Sequence, residues 1–128
     1  MDGKRITPAM ISSLKPGEVF VFGSNMHGHH MAGAAAAAMR HFGAEWGVGD
    51  GLCGQSYAIS TMEGLEETEK NVSRFISFAR LHSEFTFLVT PIGCGIAGYT
   101  PSEIAPLFAE AVELENVHLP ESFWKVFR

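Results

Sequence analysis

Val19-Phe20-Val21-Phe22-Gly23-Ser24-Asn25-Met26-His27-Gly28-His29-His30-Met31-Ala32-Gly33-Ala34, continued by further alanines to Met39-Arg40-His41-Phe42, decides how this chain is read. Val19 to Phe22 is an unbroken run of β-formers, the pattern of a strand buried on both faces. It stops at Gly23-Ser24-Asn25, and a loop carrying His27, Gly28, His29 and His30 follows. Helix-favouring residues begin at Ala32 and continue to Phe42, with Gly43 as the stop signal. The alanines at 34 to 38 also let such a helix lie close to a sheet. Strand, glycine-bearing loop and small-residue helix form the layout of a binding site at a strand's carboxyl end. The first amides of such a helix can hold an anion.

A second stretch repeats the layout. Phe85 to Thr90 reads as another central strand, and Pro91-Ile92-Gly93-Cys94-Gly95-Ile96-Ala97-Gly98-Tyr99 is a glycine-rich loop. Thr100-Pro101-Ser102-Glu103 is a capping box with proline at the first helical position, so a helix starts there. In a parallel sheet both loops emerge at one edge and face each other across a crevice. The pattern points to a ligand with a phosphate or diphosphate, enclosed by amides of Gly28 to Gly33 and Gly93 to Gly98. The other reading of these glycines is that they only make tight turns.

The remaining segments fill in an α/β domain. Thr7-Pro8 predicts a short helix, with Met10, Ile11 and Leu14 facing inward. Lys15 to Glu18 is a turn. Gly43 to Gly54, with glycines also at 47, 49 and 51, reads as a long loop without regular structure. Gln55 to Thr61 is a short strand with Tyr57 and Ile59 on one face. Glu63 to His82 is amphipathic, with Val72, Phe75, Ile76 and Ala79 on its inner stripe and acids near its start. The helix after Thr100 turns Ile104, Leu107, Phe108, Ala111 and Val112 inward. Asn116 to Leu119 is a last strand, and Phe123 to Phe127 an apolar piece of open state. Strands alternating with helices predict a three-layer α/β/α fold with a mixed, largely parallel central sheet.

The composition narrows the function. The 128 residues make one domain, 1–128, and a hydrophobic content of 46% with ten Phe fits a folded core. A net charge of −5, with nine Lys and Arg spread along the chain, argues against nucleic acid or an anionic membrane as partner. An anion would then be held by backbone amides. Met-Asp-Gly-Lys-Arg is not followed by an apolar core, so no secretory signal is read, and no apolar run reaches membrane-span length. Cys53 and Cys94 are far apart and form no Cys-x-x-Cys pair, which fits a reduced, cytoplasmic protein.

Asn25 directly follows the first strand, where its amide can donate to and accept from a sugar hydroxyl, or simply form a turn. His27, His29 and His30 lack the second ligand cluster of a structural zinc site, so no metal is expected. Cys94, between two glycines, is a candidate nucleophile near helix-start amides or a packing cysteine. Asp50 is the acidic candidate for a base in the long loop, or a turn residue.

These residues resemble the macro domain family, the ADP-ribose-binding α/β/α module. Family members carry an apolar strand ending in Asn, then a glycine-rich loop opening a helix on Gly-Ala; Val19 to Asn25 and Gly28 to Ala34 match this. Their second loop ends in Gly-Tyr and is followed by Pro, as in Ile92 to Pro101 here. The resemblance extends in element order over residues 5 to 112, and is nearest to the compact macro-like proteins of bacteria and their phages. It implies that Asn25 contacts the distal ribose. It also implies that Gly23, Ser24, Gly28, Ala32, Gly33 and Ala34 line one side of the diphosphate. Gly93, Cys94, Gly95, Ile96, Ala97, Gly98 and Tyr99 would line the other, with Tyr99 beside the sugar. No separate cofactor is implied.

Three positions depart from the family. Its adenine-binding Gly-Asp-Ile-Thr appears as Lys4-Arg5-Ile6-Thr7, and Arg5 cannot accept a hydrogen bond. Hydrolytic members often carry Asp where Ala32 stands, although other members with Ala there are considered hydrolases. The first loop has histidines where the family has glycine. The expectation is binding of ADP-ribose or a related nucleotide-sugar diphosphate, with hydrolysis open as an extension. In that case Asn25 would orient the ribose and His27 or Asp50 would be the base. A non-catalytic sensor is the alternative. Another is a protein-interaction domain with a degenerate pocket, with Trp46 and Trp124 as anchors, unless each packs in the core instead.

Overall fold

The computed structural model describes residues 5–30 and 33–128. Its elements are β1 (Ile6–Thr7), β2 (Glu18–Ser24), α1 (Gly33–His41), β3 (Gly51–Cys53), β4 (Ser56–Ser60), α2 (Leu65–Leu81), β5 (Thr86–Val89), α3 (Pro101–Ile104), β6 (Val117–Pro120) and α4 (Glu121–Phe127). A 3₁₀ helix over Ala105–Glu113 continues α3. The strands form one mixed sheet in the order β1-β6-β5-β2-β4-β3, and every pairing is parallel except that of β3 with β4.

β2 lies between β4 and β5, which explains its unbroken apolar run. Alternate residues go to opposite faces. Val19 and Val21 enter a core built with α2, the 3₁₀ helix and α4, whereas Phe20 and Phe22 pack against Ala35 and Ala38 of α1. Tyr57 and Ile59 share the larger core, as their alternation predicts. The stripe Val72, Phe75, Ile76 and Ala79 of α2 is buried there too. Thr100 caps α3 with both reciprocal hydrogen bonds to Glu103 in place. Pro106 follows within a few residues, and the helix tightens to 3₁₀ rather than continuing as α. The terminal apolar piece is helical, and α4 buries Phe123 and Trp124.

Two expectations fail. No helix follows Thr7-Pro8: Ile6 and Thr7 pair with Leu119 and Pro120 of β6, and the segment after them is irregular. A residue before proline avoids the α region, and here sheet pairing takes up that preference. Met10 consequently points outward at 89% exposure, while Ile11 and Leu14 pack on the α1-side core. The glycine-rich stretch also contains regular structure. Gly51–Cys53 forms an antiparallel hairpin with β4 through the two-residue loop Gly54-Gln55, where Gly54 has φ of 62°.

Arg5 locks the edge of the sheet. Its guanidinium donates to the carbonyls of Ala111, Val112 and Val117 at 2.7–3.0 Å and lies 5.2 Å from the Trp124 ring centre. The Trp124 indole N–H in turn donates to the Arg5 carbonyl at 2.9 Å. Trp124 is therefore a core residue and not a surface anchor.

Burial above all, and then the Asp50 charge, pushes the Tyr57 phenol up to about 12, while Arg74 opposes the shift. A raised phenol favours the protonated form in the folded state, so its contribution is intact below the unfolded value of about 10. It is lost as the pH rises towards about 12. Urea midpoints of wild type should therefore fall more steeply than those of Tyr57→Phe across that interval. Parallel curves would contradict the burial argument.

Candidate functional site

Parallel pairing brings the ends of β2, β4 and β5 to one edge. Thr61 N donates to the Ser24 carbonyl at 2.9 Å, and Thr90 N donates to the Val21 carbonyl at 3.0 Å, so the three exits are tied together. Between them lies a cleft of about 400 Å³. The first loop contributes Gly23, Ser24, Asn25 and His29, and the start of α1 contributes Gly33, Ala34 and Ala35. Thr61 and Met62 directly follow β4, and Thr90 to Gly93 with Gly95, Ile96 and Ala97 complete the wall. The two glycine-rich loops thus face one another as the sequence predicts.

The second loop is folded on itself by three backbone bonds. Cys94 N donates to the Pro91 carbonyl, Gly98 N to Gly95 and Tyr99 N to Gly93, at 2.8–3.2 Å. The amides of Gly93, Gly95, Ile96 and Ala97 find no partner among the described residues. On the other side, the first amides of α1 have none within their helix. The described cleft lining contains no Lys, Arg, Asp or Glu side chain, and His29 is its one histidine. Such a surface can accept an anion on backbone dipoles, without a cationic cluster.

Asn25 lines the cleft, but its side chain builds the loop. Its Oδ1 accepts from the amides of His27 and His29, and its Nδ2 donates to the His29 carbonyl, each at 3.1 Å. His30 is buried at 1% exposure beneath this loop. Its Nε2 donates to the Glu45 carbonyl at 2.8 Å, so Nδ1 accepts from the Ser24 hydroxyl at 2.9 Å. The loop of residues 43–50 is docked here as well: Gly47 N donates to the Gly28 carbonyl at 2.9 Å. Glu63 ties the third exit to the first. It accepts from Met26 N at 3.0 Å and, through its other oxygen, from the Ser60 hydroxyl.

Several candidates sit apart from the cleft wall. Gly28 is buried against Gly47 and Val48, and supports the wall from behind. Cys94 and Tyr99 pack on the large core, and Gly98 closes the second loop's turn. Burial, with Glu103 nearby, raises the Cys94 thiol, which fits a packing cysteine and not an activated thiolate. His27 is exposed beside His29, outside the wall. Asp50 also lies outside it, with its carboxylate accepting from Arg74 Nη1 at 2.5 Å. Ala32 falls outside the described residues. The sequence reading passed over Thr61, Met62 and Glu63; their signal was the end of a third parallel strand, Ser60-Thr61, placed beside β2.

A second compartment of about 730 Å³ abuts the first at Gly33, Ala34, Thr90 and Pro91. It runs under residues 6–11 to Phe20, Ala37, Pro120, Glu121 and Ser122, and is mostly apolar. Thr7 lines it at 5% exposure, and its hydroxyl has no hydrogen-bond partner among the described residues. Among the described residues no group of three or more His, Cys, Asp or Glu is arranged to hold a metal ion, and no helix is long and apolar enough to cross a membrane. Comparison with known proteins found no matching family model, no similar curated protein and no similar solved structure.

Proposed function

We propose that this chain binds ADP-ribose or a related nucleotide-sugar diphosphate. The observation that carries the reading is the cleft itself. Second-loop amides without a partner among the described residues face the first turn of α1 at the ends of adjacent parallel strands, with no acidic side chain in the described wall. A diphosphate there would replace water on those amides with charge-assisted hydrogen bonds. The sugar beyond it would meet Asn25 and the second loop, as in the macro-type arrangement that the sequence resembles. The abutting apolar compartment suits the flat base at the ligand's other end. Two free thiols, Cys53 and Cys94, agree with a cytoplasmic setting.

Binding without turnover is the favoured form of this reading. Hydrolysis needs a placed base, and neither Asp50 nor His27 lines the cleft. Calorimetric titration with ADP-ribose, beside assay of ADP-ribose release from modified protein, separates the cases. Saturable binding without release is the expected result. Release at a steady rate would make the chain a hydrolase, and absence of binding up to millimolar ligand would refute the proposal.

The Thr7 hydroxyl, without a partner among the described residues, gives a sharper test. A buried hydroxyl without a partner destabilises the fold, so Thr7→Val should stabilise it by about 1 kcal/mol in urea unfolding. If the hydroxyl meets the base, the same variant should bind ADP-ribose more weakly by roughly fivefold while ribose 5-phosphate binding is unchanged. Stability and affinity would then move in opposite directions. Equal loss of affinity for both ligands would place the base elsewhere.

A further inference from the structure

His29 is the one histidine in the described cleft wall, and no fixed side-chain charge shares that wall with it. Its backbone is clamped on both sides by Asn25, whose amide accepts from His29 N and donates to His29 O. Its ring stacks on Trp46 with centroids 4.7 Å apart and planes 12° from parallel. Trp46 is 55% exposed, and the 43–50 loop that carries it is fixed by the bond from Gly47 N to Gly28 O. A large aromatic left in water and laid flat on an imidazole holds that ring's plane.

We infer that His29, held by Asn25 and stacked on Trp46, is the side-chain cation that contacts the ligand's anionic group. This inference rests on the nucleotide-sugar diphosphate reading and adds a determinant to it. The backbone amides supply dipoles whose strength does not change with pH. The imidazolium adds one charge-assisted hydrogen bond that exists only while the ring is protonated. Titratable groups close to it are few. His27 lies on the same loop with its ring 5.5 Å away. Glu45 precedes Trp46 and its carboxylate interacts with the Cys53 thiol, and Glu63 accepts from Met26 N. From the second loop, Gly95, Ile96 and Ala97 present no titratable side chain.

The sign follows from linkage. A bound anion raises the affinity of the imidazole for its proton, so the contribution to binding is complete below the free ring's pKa. It is lost as the pH rises through the bound ring's value. The diphosphate diester of ADP-ribose has no group titrating across the ordinary range of histidine, so a change with pH reports the protein. ADP-ribose is therefore titrated calorimetrically into wild type, His29→Gln and His41→Gln at about pH 5.5, 7 and 8.5. Wild type and His41→Gln should bind about fivefold more tightly at the acid end, the size expected of one partly exposed charge pair, whereas His29→Gln should bind with a flat profile. In proton NMR, one histidine C2–H titration should move to higher pH on adding ADP-ribose and be missing from His29→Gln. Trp46→Leu should weaken the acid-end gain while leaving the alkaline affinity in place. Binding by wild type with no pH dependence, or a His29→Gln profile equal to wild type, would overturn the role of His29 alone. No binding at any pH would overturn the ligand reading and this inference together.

Discussion

Gly28→Ala is expected to destabilise the protein by about 3 kcal/mol and to abolish ligand binding at concentrations where wild type saturates. The Cβ atom would fall 2.3 Å from Val48 N and 2.4 Å from the Gly47 carbonyl carbon, both backbone atoms of the opposing loop. Gly28 also has φ of 67°, which adds the cost of a left-handed conformation. The loops of residues 25–30 and 43–50 would have to separate. That would break the bond from Gly47 N to Gly28 O, and with it the seat of the Glu45 carbonyl on His30. Gly33→Ala is the internal comparison. Gly33 has φ of 61° but no described residue within 4 Å of its Cβ position, so only backbone strain of about 1 kcal/mol should appear. Equal losses for the two variants, measured by urea unfolding, would refute the docking of the two loops.

Phe75→Ala should cost about 4 kcal/mol, lowering the urea midpoint by roughly 2 M. Phe75 is fully buried at the centre of an aromatic group. Its ring meets Tyr57 at 5.0 Å, Phe87 at 5.3 Å and Phe108 at 6.3 Å, all edge-on. These partners come from β4, β5 and the 3₁₀ helix, so the cavity would loosen three elements of one face. The cleft lies at the sheet's end, and α1 packs on the other face. The folded fraction of Phe75→Ala should thus bind ligand with near wild-type affinity, unlike that of Gly28→Ala. A loss below 2 kcal/mol would mean that the core collapses around the missing ring.

What was legible in the sequence is what local pattern encodes. The apolar run of β2, the stripe of α2 and the Thr100 capping box each carry their own signal, and each appears as predicted. The two facing loops were legible because parallel pairing turns two local motifs into one crevice. The remainder depends on contacts between distant segments. Nothing near Asp50 in sequence says that it is held by Arg74 on α2, whereas Asn25 takes its local turn alternative, with its amide held by the His27 and His29 backbone. His30 looked like one of three loop histidines, yet it is a buried strut between Ser24 and Glu45. Thr7 read as a helix cap because Thr-Pro commonly is one; pairing with β6 instead leaves its hydroxyl without a partner among the described residues, beside the second compartment. The hairpin at Gly54 was hidden by the glycines around it, which mask the short β pattern of Gly51 to Cys53.

The central claim is that the amides of the two facing loops hold the ligand. Backbone amide NMR of the uniformly labelled protein, titrated with ADP-ribose, reads those amides directly. Saturable shifts should concentrate at Gly33, Ala34, Ala35, Gly93, Gly95, Ile96 and Ala97, with smaller changes at Thr7 and Ile11 in the abutting compartment. Shifts confined to residues outside the cleft wall, such as Asp50, Arg74 and the rest of α2, or no shifts at millimolar ligand, would contradict it.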